Sequence, residues 1–229
     1  TEEMTLPLPD RGDGTLSSKA CKEILDFLSE RADVLCIGPG IGVSEDTIRL
    51  LTEILISLDK PAVVDADAIN SIPDQGLLKE CKSPLILTPH PGEMSRLLSK
   101  TGLKIEISDI EKDRIDAARS FSEETGAYLV LKGVPTITAG PDGRVYINPT
   151  GNPGMATAGA GDVLTGMIGA LIGQGFEPLK VAIVGVYLHG LSGDIAAESK
   201  GEHSLIASDI IEAIPEAFKR LTCAASGID

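Results

Sequence analysis

Four stretches of the chain are apolar at successive positions rather than at alternate ones: 33–40 (DVLCIGPG), 61–68 (PAVVDADA), 84–90 (PLILTPH) and 127–133 (AYLVLKG). A strand with one wet face alternates, whereas a short continuous apolar run reads as a strand covered on both faces, as in a parallel sheet between helices. Helical patterns separate the runs. Residues 17–31 open on Ser17 and Ser18 as caps and put Ile24, Leu25 and Leu28 on one stripe. Residues 44–58 open at Ser44, with Glu45 and Asp46 in the first turn, where the helix dipole favours acids. Residues 108–125 open at Ser108 and stop before Gly126. Further helices are predicted over about 160–174, 178–199 and 207–221. Strands alternating with such helices predict right-handed crossovers and a doubly wound, mostly parallel sheet. Residues 135–149 break the rhythm: GPDG between two β-rich runs predicts an antiparallel hairpin near one edge. With no repeat, low-complexity segment or linker in view, residues 1–229 read as a single domain.

Composition adds detail. Aromatic residues make up 3 % of the 229 and Trp is absent, so the core between the layers must be aliphatic. A formal net charge of −14 opposes nucleic acid and anionic membrane on average, yet leaves room for one amide-lined phosphate site. Cys21, Cys36, Cys81 and Cys223 form neither a CxxC pair nor a Cys/His spacing, which predicts reduced thiols in a cytoplasmic protein, Cys36 buried in its apolar run. No stretch approaches the roughly 20 apolar residues of a membrane span, and no secretory signal is visible.

In an open α/β sheet, ligands bind beyond the carboxyl ends of the strands. Here those ends read GPGIG (38–42), DADAIN (65–70), TPHPGE (88–93) and KGVPT (132–136), joined by TAGAGD (157–162). A glycine-rich turn feeding a helix start presents backbone N–H groups and the positive end of the dipole, an anion site. Asp162, in that first turn, is placed either to take a proton from an attacking hydroxyl or simply to complement the dipole. Lys132 ends a strand, either in solvent or in a pocket. Asn70 reads equally as a turn residue. His90, at a strand end before Pro-Gly, suits a binding loop better than a core. His189, on an apolar helix, reads as packed or polar-bonded, and His203 as loop surface.

The phrase NPGMATAGAGDVLTG (152–166) resembles the signature of the ADP- or ATP-dependent NAD(P)H-hydrate dehydratases, a branch of the ribokinase-like superfamily. VVDADAIN, ILTPHPGEM and VLKG follow in that family's order and approximate spacing, so the resemblance runs from about residue 33 to 221. It implies a three-layer α/β/α fold and repair of NADH or NADPH hydrated at C6 of the nicotinamide ring. The nucleotide's terminal phosphoryl goes to the C6 hydroxyl of the S epimer, and phosphate is then eliminated. On that resemblance Asp162 is the base and the N–H groups of Ala160 and Gly161 form the anion hole. Gly40, Gly42, His90 and Glu93 hold the NADH or NADPH hydrate. Lys132, Gly133, Val134, Pro135 and Thr136 line the ADP or ATP pocket with Gly161, and Asp65, Asp67 and Asn70 orient substrate or water. A magnesium ion rides on the nucleotide phosphates, with no protein metal ligand assigned. The family also implies a homotetramer. The opening TEEMTLPLPD resembles the stretch after a leading βαβ segment, so a companion chain or longer parent carrying that segment, or an epimerase domain, is expected. Two other readings stand beside this one: a ribokinase-like kinase of a vitamin-precursor alcohol, and a non-catalytic nucleotide-binding fragment.

Overall fold

The computed structural model describes residues 4–226 apart from 101 and 103, so the first three residues of the opening stretch lie outside it. Six strands form one sheet in the order β1-β2-β3-β4-β5-β6. β1 (Leu35–Ile37), β2 (Ala62–Val64), β3 (Leu85–Leu87) and β4 (Tyr128–Leu131) run parallel. β5 (Ile137–Ala139) and β6 (Val145–Ile147) add the antiparallel hairpin at the far edge, closed by Gly140 N donating to Arg144 O at 3.0 Å.

Successive strand residues point to opposite faces, and the core divides accordingly. Ala62, Val64, Leu85, Leu87, Leu129 and Leu131 share one buried cluster with Leu28, Leu50, Ala68, Met94 and Ala118. These come from α1 (Cys21–Arg31), α2 (Glu45–Ser57), α3 (Ala66–Ser71), α5 (Pro91–Ser99) and α7 (Arg114–Thr125), with α4 (Gly76–Glu80) and α6 (Ile107–Lys112) in the same layer. Val63, Ile86 and Val130 face the other way, against Leu164, Ile168, Val181, Val186 and Ala217. Those residues belong to α8 (Ala160–Ile172), α9 (Pro178–Lys200) and α10 (Ala207–Ser226). The continuous apolar runs thus mean what they predicted: the middle strands are wet on neither face, and the fold is a three-layer α/β/α sandwich.

Caps set several boundaries. Ser17 and Ser44 accept from Lys19 N and Thr47 N, and α7 stops at left-handed Gly126. The predicted helix over 108–125 is two helices. Glu106, not Ser108, caps α6, and Asp113 breaks the run and caps α7 through Asp116 N. The reading of DADAIN and TPHPGE as strand ends passes over α3 and α5, and α4 between them was not predicted. His90 caps α5, Pro91 starts it and Glu93 closes the capping box, a helix-start signature inside an apparent loop.

Two other expectations fail. Cys36 is exposed, because β1 is an edge strand with β2 on one side and no strand pairing on the other among the described residues. Cys21, Cys36 and Cys81 form no disulfide among the described residues. Helix α9, with 23 residues and mean hydropathy 1.3 over its apolar window, is long and apolar enough to cross a membrane by length and composition. It is instead the central helix of its layer, packed on β4, β5, α8 and α10.

Candidate active site

The parallel strands end at Ile37, Val64, Leu87 and Leu131, and the next residues converge on a buried charge cluster. Asp65 is 1 % exposed. Its Oδ1 lies 2.8 Å from Lys132 Nζ, at the end of β4. Its Oδ2 accepts from Thr165 Oγ1 at 2.8 Å, from the second turn of α8. Lys132 Nζ also stands 3.9 Å from Glu93 Oε2, and the Glu93 side chain is 7 % exposed. Two buried carboxylates and one ammonium therefore tie β2, β4, α5 and α8 together. A carboxylate this deep survives only when paired and hydrogen-bonded, and both conditions are met at Asp65. Lys132 is thus an inward-facing cation, not a strand end in solvent.

The neighbouring predicted residues serve one another. His90 Nδ1 accepts from Gly92 N at 3.0 Å and Glu93 N at 3.3 Å, while His90 N donates to Glu93 Oε2 at 2.8 Å. The imidazole is half exposed, and its Nε2 lies 3.4 Å from Glu93 Oε1. Burial, helped by the Lys132 and Arg96 charges and opposed by Glu93, holds the His90 pKa below 6.5. Asp67 Oδ2 accepts from Gly42 N at 3.0 Å, so that N–H is committed within the protein, whereas Gly40 at φ +75 stands in open space. Asn70 Oδ1 accepts from Arg96 Nε at 2.8 Å.

The glycine loop ends at Gly159, whose φ of +86 turns the chain into α8 without a side-chain cap. Uncapped first-turn N–H groups are the orphans of a helix start. Ala160 N donates to Thr157 O at 3.3 Å and Val163 N to Gly159 O at 3.1 Å. Among the described residues the N–H groups of Gly161 and Asp162 have no acceptor, so they are the open donors of this helix start, while the N–H of Ala160 is engaged by Thr157 O. A Cβ on Gly161 would sit 3.6 Å from Lys132 Nζ and 3.9 Å from Asp65 Oδ2. The helix start is therefore beside the ammonium. Adjacent helix residues are about 100° apart, so Asp162 looks elsewhere. It is exposed, and with Gly159, Val163 and Gly166 it lines a groove of about 680 Å³ between α8 and α10, walled by Ile211 and Phe218. A ligand that uses both faces must straddle the first turn of α8. His189 of α9 supports that turn from below, its Nε2 2.9 Å from Ala160 O. Burial presses its pKa down to about 4, so it is neutral at pH 7 and donates to the carbonyl. His203 is exposed, as expected.

Residues 132–136 follow β4. Gly133 has φ +152, Val134 is 93 % exposed, the Val134–Pro135 peptide is cis, and Thr136 Oγ1 donates to Gly133 O at 3.1 Å. Two supporting residues escaped the sequence reading. Thr165 carries a signal, since it follows Gly161 by one helical turn and so shares its face. Arg114 carries another: a cation in the first turn of a helix opposes the dipole and requires some other reason to be there.

Comparison with known proteins comes to the same place. The chain is 48 % identical over 222 residues to a bifunctional NAD(P)H-hydrate repair enzyme of Moorella thermoacetica, covering 96 % of this chain and 41 % of that one. It is 40 % identical to an ADP-dependent (S)-NAD(P)H-hydrate dehydratase of Neisseria meningitidis, over 86 % of this chain and 67 % of the relative. The structure superposes on the Bacillus subtilis ADP/ATP-dependent NAD(P)H-hydrate dehydratase, co-crystallised with ATP/Mg2+ and soaked with CoA, with a TM-score of 0.76. The identity is 32 %, with 88 % of this chain and 72 % of that one covered. The chain spans about two-fifths of the length of the bifunctional relatives it matches. A model of the NAD(P)H-hydrate dehydratase family matches residues 11–216, and this chain belongs to that family.

Proposed function

We propose that this chain is a dehydratase domain that restores NADH and NADPH from their S hydrates at the expense of ADP or ATP. The observation that carries the reading is the first turn of α8: the N–H groups of Gly161 and Asp162 without acceptors among the described residues, the Lys132 cation beside Gly161, and the exposed Asp162 carboxylate. Such a site holds a transferring phosphoryl group and supplies a base for its acceptor. Hydroxide leaves poorly and phosphate leaves well. Asp162 takes the proton of the C6 hydroxyl as its oxygen bonds to the terminal phosphorus and the bond to the leaving nucleotide breaks. The lone pair of the ring nitrogen then expels phosphate from C6, and the resulting iminium loses a proton from C5 to the departing phosphate or water, giving NAD(P)H, inorganic phosphate, and AMP from ADP or ADP from ATP.

In this reading Gly161 and the 132–136 loop hold the nucleotide, and His90, Glu93, Gly40 and Gly42 face the hydrate. Asp65, Asp67 and Asn70 act through Lys132, Gly42 and Arg96, the partners they hold. The donor set suits magnesium carried in on the nucleotide rather than a protein cage. Asp65 and Glu93 already engage Lys132, and among the described residues no group of three His, Cys, Asp or Glu gathers for a metal. When bound, that ion neutralises charge on the phosphates. The protein is further inferred to work in the cytoplasm as a homotetramer, with an epimerase on a companion segment or chain. The bifunctional relatives support the companion, and exposed Ile211 and Phe218 on α10 support self-association. Light scattering tests the latter.

The deciding experiment mixes the protein with NADH hydrate, magnesium and either nucleotide. The near-ultraviolet band of reduced nicotinamide should return with one phosphate released per turnover. A stable phosphorylated alcohol from another substrate, with no such recovery, would establish the kinase reading instead.

A further inference from the structure

The backbone of the 132–136 loop is organised by one side chain. Arg114, at the start of α7, is 12 % exposed at its side chain. Its Nη2 lies 3.3 Å from Leu131 O, 3.2 Å from Lys132 O and 3.1 Å from Pro135 O. Its Nη1 donates to Glu111 Oε1 at 2.7 Å, and its Nε is buried with no partner among the described residues. Burying a guanidinium is costly, and a first-turn cation faces the wrong end of the dipole. Glu111 and the three carbonyls together offset both.

A trans peptide plane points its C=O and N–H in opposite directions. With Lys132 O turned to Arg114, the N–H of Gly133 is turned away from it. Pro135 O does the same for the N–H of Thr136. Leu131 O fits the pattern, since the N–H of its plane, on Lys132, donates the other way to Pro89 O at 2.8 Å. Among the described residues the N–H groups of Gly133 and Val134 have no acceptor. Backbone N–H groups gathered on one side of a turn make an anion cradle. Gly133 is integral to it: a Cβ there would lie 2.3 Å from Arg114 Nη2.

We propose that Arg114 is a positioning residue for the nucleotide phosphates, acting without touching them. It draws the loop's carbonyls to one side and so presents the loop's N–H groups to an anion on the other. This rests on the reading that the 132–136 loop takes the nucleotide. The test is calorimetric titration of the full chain with ADP and with adenosine, beside the KM for NADH hydrate. Arg114→Ala should weaken ADP about tenfold, about 1.4 kcal/mol. It should change adenosine affinity, which involves no phosphate, and the hydrate KM by less than about twofold. Arg114→Lys should restore only part of the loss, because an ammonium lacks the planar fork. That variant keeps the charge and the stem, and so serves if the alanine variant does not fold. Wild-type ADP affinity in Arg114→Lys and Arg114→Ala would overturn the proposal. Equal weakening of ADP, adenosine and hydrate would overturn it too, since that marks a general structural loss. A wild-type protein that binds no nucleotide would instead overturn the underlying functional reading, and this proposal with it.

Discussion

At the scale of single residues, the site separates what is needed for chemistry from what is needed for folding. Asp162 is exposed and makes no hydrogen bond through its carboxylate among the described residues, so Asp162→Asn should leave the melting temperature within about 1 °C. Turnover of the hydrate should fall by about 10²–10⁴, the range for loss of a general base. Steady-state kinetics beside a thermal melt checks both, and near-wild-type turnover would remove Asp162 from its role. Gly161 offers the complementary case. An added methyl fits at ordinary contact distance from Lys132 and Asp65, and alanine is the better helix former. Gly161→Ala should therefore melt no lower than the wild type while losing at least about tenfold in turnover, because the methyl occupies the space beside the ammonium. Full activity in this variant would show that no phosphoryl oxygen comes there. The acid and the glycines were legible in the sequence, because a glycine-rich turn ahead of an apolar helix is a local pattern. That the N–H of Ala160 returns to Thr157 O was not legible, because the letters do not encode the hydrogen bonding of a turn.

At the scale of elements, the four parallel strands and the long helices were legible because their apolar periods differ. The short helices α3, α4 and α5 were not. They are 6, 5 and 9 residues long, too short to show a 3.6-residue period, and α5 betrays itself only through its Pro and Glu start. The exposure of Cys36 was also illegible, since an apolar run does not say which strand lies at the edge. Nor does any single element reveal Thr165, whose partner Asp65 is 100 residues away in sequence. Thr165→Val keeps the shape and removes the hydroxyl, leaving Asp65 Oδ2 buried without that donor. The cost should be about 1–3 kcal/mol, lowering the melting temperature by about 2–4 °C per kcal/mol for a chain of this size. An unchanged melt would mean that water or a rearranged Lys132 satisfies the oxygen.

At the scale of the whole molecule, acid stability should depend on a residue far from the surface chemistry. Burial first, with a smaller contribution from the Lys132 charge, lowers the His189 pKa from 6.5 to about 4, against the opposing bond to Ala160 O. The unfolded chain takes up a proton below pH 6.5 that the folded chain refuses until about pH 4. The stability present above pH 6.5 is therefore lost as pH falls through that window, by about 3 kcal/mol at about 1.4 kcal/mol per pH unit. Urea midpoints at pH 7 and pH 4.5 should separate less for His189→Gln than for the wild type. An equal separation would assign the acid loss to other groups.

Asp65 has one further consequence, in time rather than in space. Its two oxygens hold β4 through Lys132 and α8 through Thr165, while its own backbone N–H donates to Ile37 O of β1 at 3.0 Å. Neither β4 nor α8 can swing open without stranding the buried carboxylate, and β1 cannot without stranding a backbone N–H. The amides of Val64, Leu131 and Thr165 should then exchange with deuterium through one shared, rare opening rather than each at its own pace, and the first turn of α8 would stay rigid while the outer walls of the groove move.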